Sequence, residues 1–164
     1  MTRVRVHAFS ISLDGYGAGP DQSVQAPLGI GGEQLHEWFV ATEAFQKMHG
    51  REREAFEKML GKEDGSTGAD NEFAKRAMDN LGAWILGRNM FGPGGGAWPE
   101  GSWKGGWGDV PPYHCDVFVL THHPRKSFEM EGGTTFHFVT DGIHSALAKA
   151  KAAAKGKDIR IGGG

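Results

Sequence analysis

Three short segments carry residue types from which a site for a phosphorylated small molecule can be built. The last apolar run passes directly into glycine, Asp158-Ile159-Arg160-Ile161-Gly162-Gly163-Gly164. Glycine after a buried strand lets the backbone approach a phosphate or diphosphate, because no Cβ stands in the way. A second apolar run, Ala83–Leu86, opens into Gly87-Arg88-Asn89-Met90-Phe91-Gly92. There the planar fork of an arginine can pair with phosphate oxygens. A third run ends in Thr121-His122-His123-Pro124-Arg125, which offers hydroxyl, imidazole and guanidinium groups within five residues. Each segment also has a plain reading: a glycine tail, an arginine in a surface turn, or a polar strand end. A metal site at the histidine pair is not favoured. Adjacent residues of an extended segment point to opposite sides, and no carboxylate or cysteine stands at ligand spacing.

What these segments share is position, since each closes an apolar run short enough to be a strand. In a parallel sheet such ends lie along one rim, where ligands of open α/β sheets bind. The elements needed to hold them there are visible in the periodicity. Residues 4–13 read as a first strand stopped by Asp14-Gly15, and the glycine-rich stretch 15–32 as a loop. Leu35, Trp38, Phe39, Thr42 and Phe45 recur at helical spacing and predict a helix over 33–48. A charged helix over 51–60 and a polar loop over 61–69 follow. Asp70 or Asn71 is expected to cap a helix carrying Phe73, Ala77, Met78 and Leu81, ending at Gly82. Strands are predicted at 83–86, 116–121, 134–140 and 158–161. Thr140 or Asp141 would cap an alanine- and lysine-rich helix that ends at Gly156. The stretch 92–113, rich in glycine, proline and tryptophan, is expected to be a long structured loop. Strands alternating with helices and apolar on both faces argue for an α/β fold with a largely parallel sheet.

Composition narrows the function. The 164 residues carry a net charge of −2, with Lys and Arg spread along the chain rather than gathered into a basic patch, so nucleic acid is not an expected partner. The 27 glycines cluster in loops without a strict repeat. Cys115 is the single cysteine, which excludes an internal disulfide; a small buried residue at a strand start is favoured over a nucleophile. No apolar run approaches membrane-spanning length and no leader-like segment opens the sequence, so the expectation is a cytoplasmic protein with no membrane partner.

In order along the chain, Ser12-Leu13-Asp14-Gly15-Tyr16, Gly87-Arg88-Asn89-Met90-Phe91-Gly92-Pro93, Val119-Leu120-Thr121-His122-His123-Pro124, Phe138-Val139-Thr140-Asp141-Gly142 and Asp158–Gly164 form a set. With this set the chain resembles the dihydrofolate-reductase-like superfamily, in the branch related to the reductase domain of the bacterial riboflavin-pathway deaminase/reductase. The resemblance implies one domain over 1–164 with a central, mostly parallel sheet between helices, binding NADPH along its carboxyl rim. It would set Ser10, Ala18 and Gly19 beside the nicotinamide, and Gly87, Arg88, Asn89 and Met90 along the phosphates. Thr121, His122 and His123 would lie by the adenosine, where Arg88 and His123 would favour a 2′-phosphate. Thr140 and Asp141 would flank the adenine, and Ile161, Gly162, Gly163 and Gly164 would pass under the diphosphate.

Two departures qualify what is carried over. Dihydrofolate reductases hold the pterin with a carboxylate on the first helix, and the aligned position here is Leu35, which argues against folate. His36 is the nearest polar residue on that helix and the candidate proton donor, with a surface histidine as the plain alternative. Family members also continue past the glycines with a helix and further strands. The expected domain therefore lacks those C-terminal strands and leaves an edge that invites pairing into a homodimer. Trp98, Trp103 and Trp107 either wall a flat ring or anchor their loop, with anchoring preferred. The expected activity is NADPH-dependent reduction of a small heterocyclic substrate (pterin-like or flavin-precursor-like) or of a carbonyl compound. A non-catalytic nucleotide- or pterin-binding protein is the alternative, and a purely structural homo-oligomer a third.

Overall fold

The computed structural model describes residues 1–23, 25–49, 65–92, 96–98 and 104–163. The expected helix over 51–60, loop residues 61–64, Trp103 and Gly164 lie outside that set. Six strands form one mixed sheet: β1 (Val4–Arg5), β2 (Leu81–Gly87), β3 (Asp116–Leu120), β4 (Phe128–Glu129), β5 (Thr135–Val139) and β6 (Asp158–Gly162). Their spatial order is β1-β6-β2-β3-β5-β4, parallel throughout except for the antiparallel β5–β4 pair. The described helices are α1 (Glu37–Val40), α2 (Glu43–His49), α3 (Ala69–Met78), α4 (Arg88–Phe91) and α5 (Ile143–Ala153). Among the described residues no helix is long and apolar enough to cross a membrane.

Alternation along the central strands divides the core in two. Ala83, Ile85, Phe118, Val139 and Ile159 face α5, whose Ala146, Ala150 and the following Ala154 meet them. Alanines four residues apart lay a smooth helix face close against the sheet. The approach is tightest at Gly82, where a Cβ would lie 2.5 Å from the Ala154 carbonyl oxygen. Trp84, Leu86, Val117, Val119 and Phe136 face the other way, against Phe91 of α4, Tyr113 and Met130. On that same face Arg160 reaches α3: its Nη1 donates to the Ala77 carbonyl at 3.2 Å, and its Nη2 to the His7 carbonyl at 2.8 Å. Its guanidinium also lies 4.4 Å from the Trp84 ring, and burial brings its pKa down to about 10.

Several predicted boundaries are corrected. The first strand is only Val4–Arg5, because Ala8 takes a left-handed conformation (φ 50°) that turns the chain off the sheet. The single helix expected over 33–48 is a 3₁₀ turn (Gly32–Leu35) followed by α1 and α2. The break falls at Thr42, whose hydroxyl donates to the Phe39 carbonyl and whose backbone bridges Ser66. Helix α3 stops at Met78, since Asp79 is extended and Asn80 is left-handed (φ 55°); Leu81 and Gly82 belong to β2. Its first residue follows Gly68, and Asn71 does not cap it but lies buried, accepting the Ala44 N–H at 2.8 Å. Neither Thr140 nor Asp141 caps α5, which begins after Gly142 (φ 89°); Asp141 instead accepts the Ser145 hydroxyl at 2.7 Å. Strand β4 is not legible in the sequence, as two residues carry no periodic signal.

Candidate functional site

Parallel pairing decides where the strand ends go. Gly162 is opposite Leu86, Gly87 opposite Leu120, and Leu120 opposite Val139. The segments after β6, β2, β3 and β5 therefore leave the sheet side by side, in that order. Gly162–Gly163, Gly87–Met90, Thr121–His123 and Thr140–Asp141 occupy one rim.

The glycines at the centre of this rim keep it open. Among the described residues, a Cβ on Gly87 would meet nothing within 4 Å, and one on Gly163 (φ 129°) would meet only the Gly87 amide nitrogen, at 3.9 Å. The backbone at both glycines is thus uncovered where a side chain would otherwise stand. Gly162 is closed by comparison: a Cβ there would come within 3.0 Å of the Met90 sulfur and 3.1 Å of the Trp84 ring. Met90 therefore acts as packing between β6 and the core, and Ile161 is an exposed strand residue.

Arg88 does not project freely into solvent. Its Nη1 donates to the Gly92 carbonyl at 2.6 Å, and its guanidinium carbon stands 3.9 Å from the centre of the Trp98 ring. Arg125 approaches the same indole to 5.1 Å. Burial first, and the Arg125 charge second, bring the Arg88 pKa below its ordinary value. Arg88 Nε is buried without a hydrogen-bond partner, and no carboxylate pairs with Arg88 among the described residues. A cation held near a second cation, with no carboxylate paired to it among the described residues, favours an anionic ligand. Asn89 is exposed next to it.

The remaining rim residues are partly committed to the protein. Thr121 is buried; its hydroxyl accepts the His123 N–H at 3.1 Å and its own N–H donates to Val139. The His123 carbonyl accepts the Trp98 indole N–H at 2.8 Å, which ties the tryptophan segment to the end of β3. His122, Thr140 and Asp141 are exposed. Trp98 packs edge-on against Phe91 and Phe138, and Trp107 against Tyr113, so both described tryptophans anchor their loop.

The N-terminal segment forms a second cluster. Beta pairing of β1 with β6 carries it along the sheet toward the rim. Ser10 Oγ accepts the Trp38 indole N–H at 2.7 Å, which ties the segment after β1 to α1. Ala18 and Gly19 lie in the adjoining loop, where the Gly19 N–H donates to Leu28 at 2.8 Å and Gly19 packs directly on Ile30. Burial lowers the His36 pKa, against the opposing pull of the Gly17 hydrogen bond, and Nε2 is buried without a partner. Leu35 ends the preceding 3₁₀ turn.

Cys115 is half-buried before β3, and burial pushes its thiol up to about 12, which removes it from the nucleophiles. Nothing in the sequence signals the Arg88–Trp98 stack. Its two members are ten residues apart in an irregular segment, where no periodicity signals contact. No family model matches the chain, and no curated protein matches it in sequence.

Proposed function

We propose that the strand-end rim binds a dinucleotide phosphate, NADPH, and that the protein is a reductase of a small heterocyclic or carbonyl substrate. The observation that carries this reading is the uncovered backbone at Gly87 and Gly163 beside Arg88, a cation with no carboxylate partner among the described residues. Backbone without side chains admits a diphosphate, and Arg88 supplies charge beside it. In this reading Gly87 and Gly163 would hold the diphosphate, and Arg88 with His123 would favour the 2′-phosphate. His122, Thr140 and Asp141 would line the adenosine, and the Ser10–Ala18–Gly19 segment the nicotinamide. The motif set resembling the dihydrofolate-reductase-like superfamily supports the same assignment. The bound cofactor would supply a hydride; the chain would supply position and electrostatics.

His36 supports a second reading. Its burial favours neutral imidazole, and a neutral ring has no imidazolium proton to donate. Together with Leu35 at the position of the family's carboxylate, this favours a protein that binds nucleotide or pterin without reducing it. One titration separates the readings. NADPH and NADH are added in parallel while the melting temperature is followed, then NADPH oxidation is followed with pterins, flavin precursors, pyrimidinones and simple carbonyls. Stabilisation by NADPH above NADH with turnover supports the reductase, and stabilisation without turnover supports the binder. No stabilisation by either nucleotide refutes the rim as a cofactor site.

A further inference from the structure

Away from the rim, on the face covered by α5, three polar side chains converge. His137 of β5 lies opposite Phe118 of β3 and stacks on its ring, with centroids 4.9 Å apart and planes 18° from parallel. That stack fixes the imidazole plane. One ring nitrogen, Nε2, lies 2.7 Å from Asp116 Oδ1, two residues back along β3 on the same face. The other, Nδ1, lies 3.1 Å from Ser127 Oγ, just ahead of β4. A carboxylate only accepts hydrogen bonds, so Nε2 carries the hydrogen and donates it to Asp116. Nδ1 is left with its lone pair and accepts the Ser127 hydroxyl hydrogen. This is the logic of an activated serine: nucleophile on base, base oriented by a carboxylate.

We propose that Ser127, His137 and Asp116 form a hydrolytic site for esters of short apolar acids, separate from the strand-end rim. The three border a cleft of about 490 Å³ whose other walls include Phe118, Val139, Ala152, Ala153 and Lys149. The apolar walls suit an acyl chain of a few carbons, and Lys149, whose Nζ reaches Asp141 Oδ1 at 3.4 Å, places a cation on the cleft wall. Ser127 Oγ bonds to the ester carbonyl carbon as its proton passes to His137 Nδ1. The bond from that carbon to the alcohol oxygen breaks, and the alcohol leaves with the proton from Nδ1. Water, giving a proton to the same nitrogen, then adds to the acyl-serine. The carboxylic acid departs and Ser127 Oγ recovers the proton. Ester and water become acid and alcohol, with no change of oxidation state.

The test uses the full chain with p-nitrophenyl acetate and butyrate, and phenylmethylsulfonyl fluoride followed by peptide mass spectrometry. Ser127 should take up one sulfonyl group, and ester hydrolysis should exceed that of buffer. Ser127→Ala alters an exposed side chain, so the fold should persist by circular dichroism while labelling and hydrolysis are lost. His137→Gln should slow acylation about 10²- to 10⁴-fold, the usual contribution of a positioned base. Absence of label on Ser127, or hydrolysis undiminished in Ser127→Ala, would overturn the proposal. Both results are independent of whether the rim binds a nucleotide.

Discussion

Replacing Phe91 by alanine tests how the rim is held. Helix α4 has four residues, too few to persist alone, and it carries Arg88, Asn89 and Met90. Phe91 is its anchor, with no exposed surface. The ring meets Phe136 at 5.0 Å, Phe138 at 5.3 Å and Trp98 at 5.7 Å, each nearly edge-on. Truncating a buried phenylalanine costs about 3–5 kcal/mol, and loss of several edge-on pairs puts this site at the upper end. Against a total stability of about 5–15 kcal/mol, that is a third or more of what holds the protein folded. At about 2–4 °C per kcal/mol for a chain of this size, the melting temperature should fall by more than about 8 °C. Phe91→Leu, which retains most of the apolar volume, should cost about 1.5 kcal/mol. The assay is urea unfolding of the three proteins, with Arg88→Met as a comparison that leaves the core ring in place. An Ala variant within about 1 kcal/mol of the parent, at unchanged denaturant slope, would show that the ring is not closely packed and that α4 is held by something else.

Two further outcomes follow from charged and titrating groups. Asp158 is almost fully buried and accepts Arg3 Nη2 at 2.9 Å and the Arg3 N–H at 3.1 Å, with Arg5 Nε at 3.5 Å. The Arg3 side-chain hydrogen bond is the largest influence holding its carboxyl below the usual 3.8. A carboxyl whose folded pKa is depressed stabilises the fold above its unfolded value and loses that contribution as pH falls through the folded one. Urea midpoints should therefore drop below about pH 4 in the parent, and much less steeply in Asp158→Asn. A parent that gains stability on acidification through this window would contradict the assignment. Cys115, with its pKa raised to about 12, should react with a disulfide reagent at pH 8 on the order of 10³-fold more slowly than a free thiol, and normally in urea. Rapid stoichiometric reaction of the native protein would show an open thiol.

The sequence by itself determined the central strands, because Ala83–Leu86 and Val117–Leu120 are apolar runs that only burial on both faces accommodates. It likewise determined that the glycine and arginine segments follow strands, since composition changes abruptly at Gly87, Thr121 and Gly162. Element boundaries set by single backbone angles, at Ala8, Asn80 and Gly142, were not legible, because the residue types there tolerate several conformations. Only the tertiary structure decided which strand ends are neighbours: β6 is last in the chain yet lies between β1 and β2, and that places Gly163 against Gly87. It also decided which polar groups meet. Arg88 on Trp98, and Ser127 with His137 and Asp116, come from segments roughly ten to twenty residues apart whose local patterns are independent. Sheet register brings His137 within hydrogen-bonding distance of Asp116, and register is a property of strand pairing rather than of any single segment.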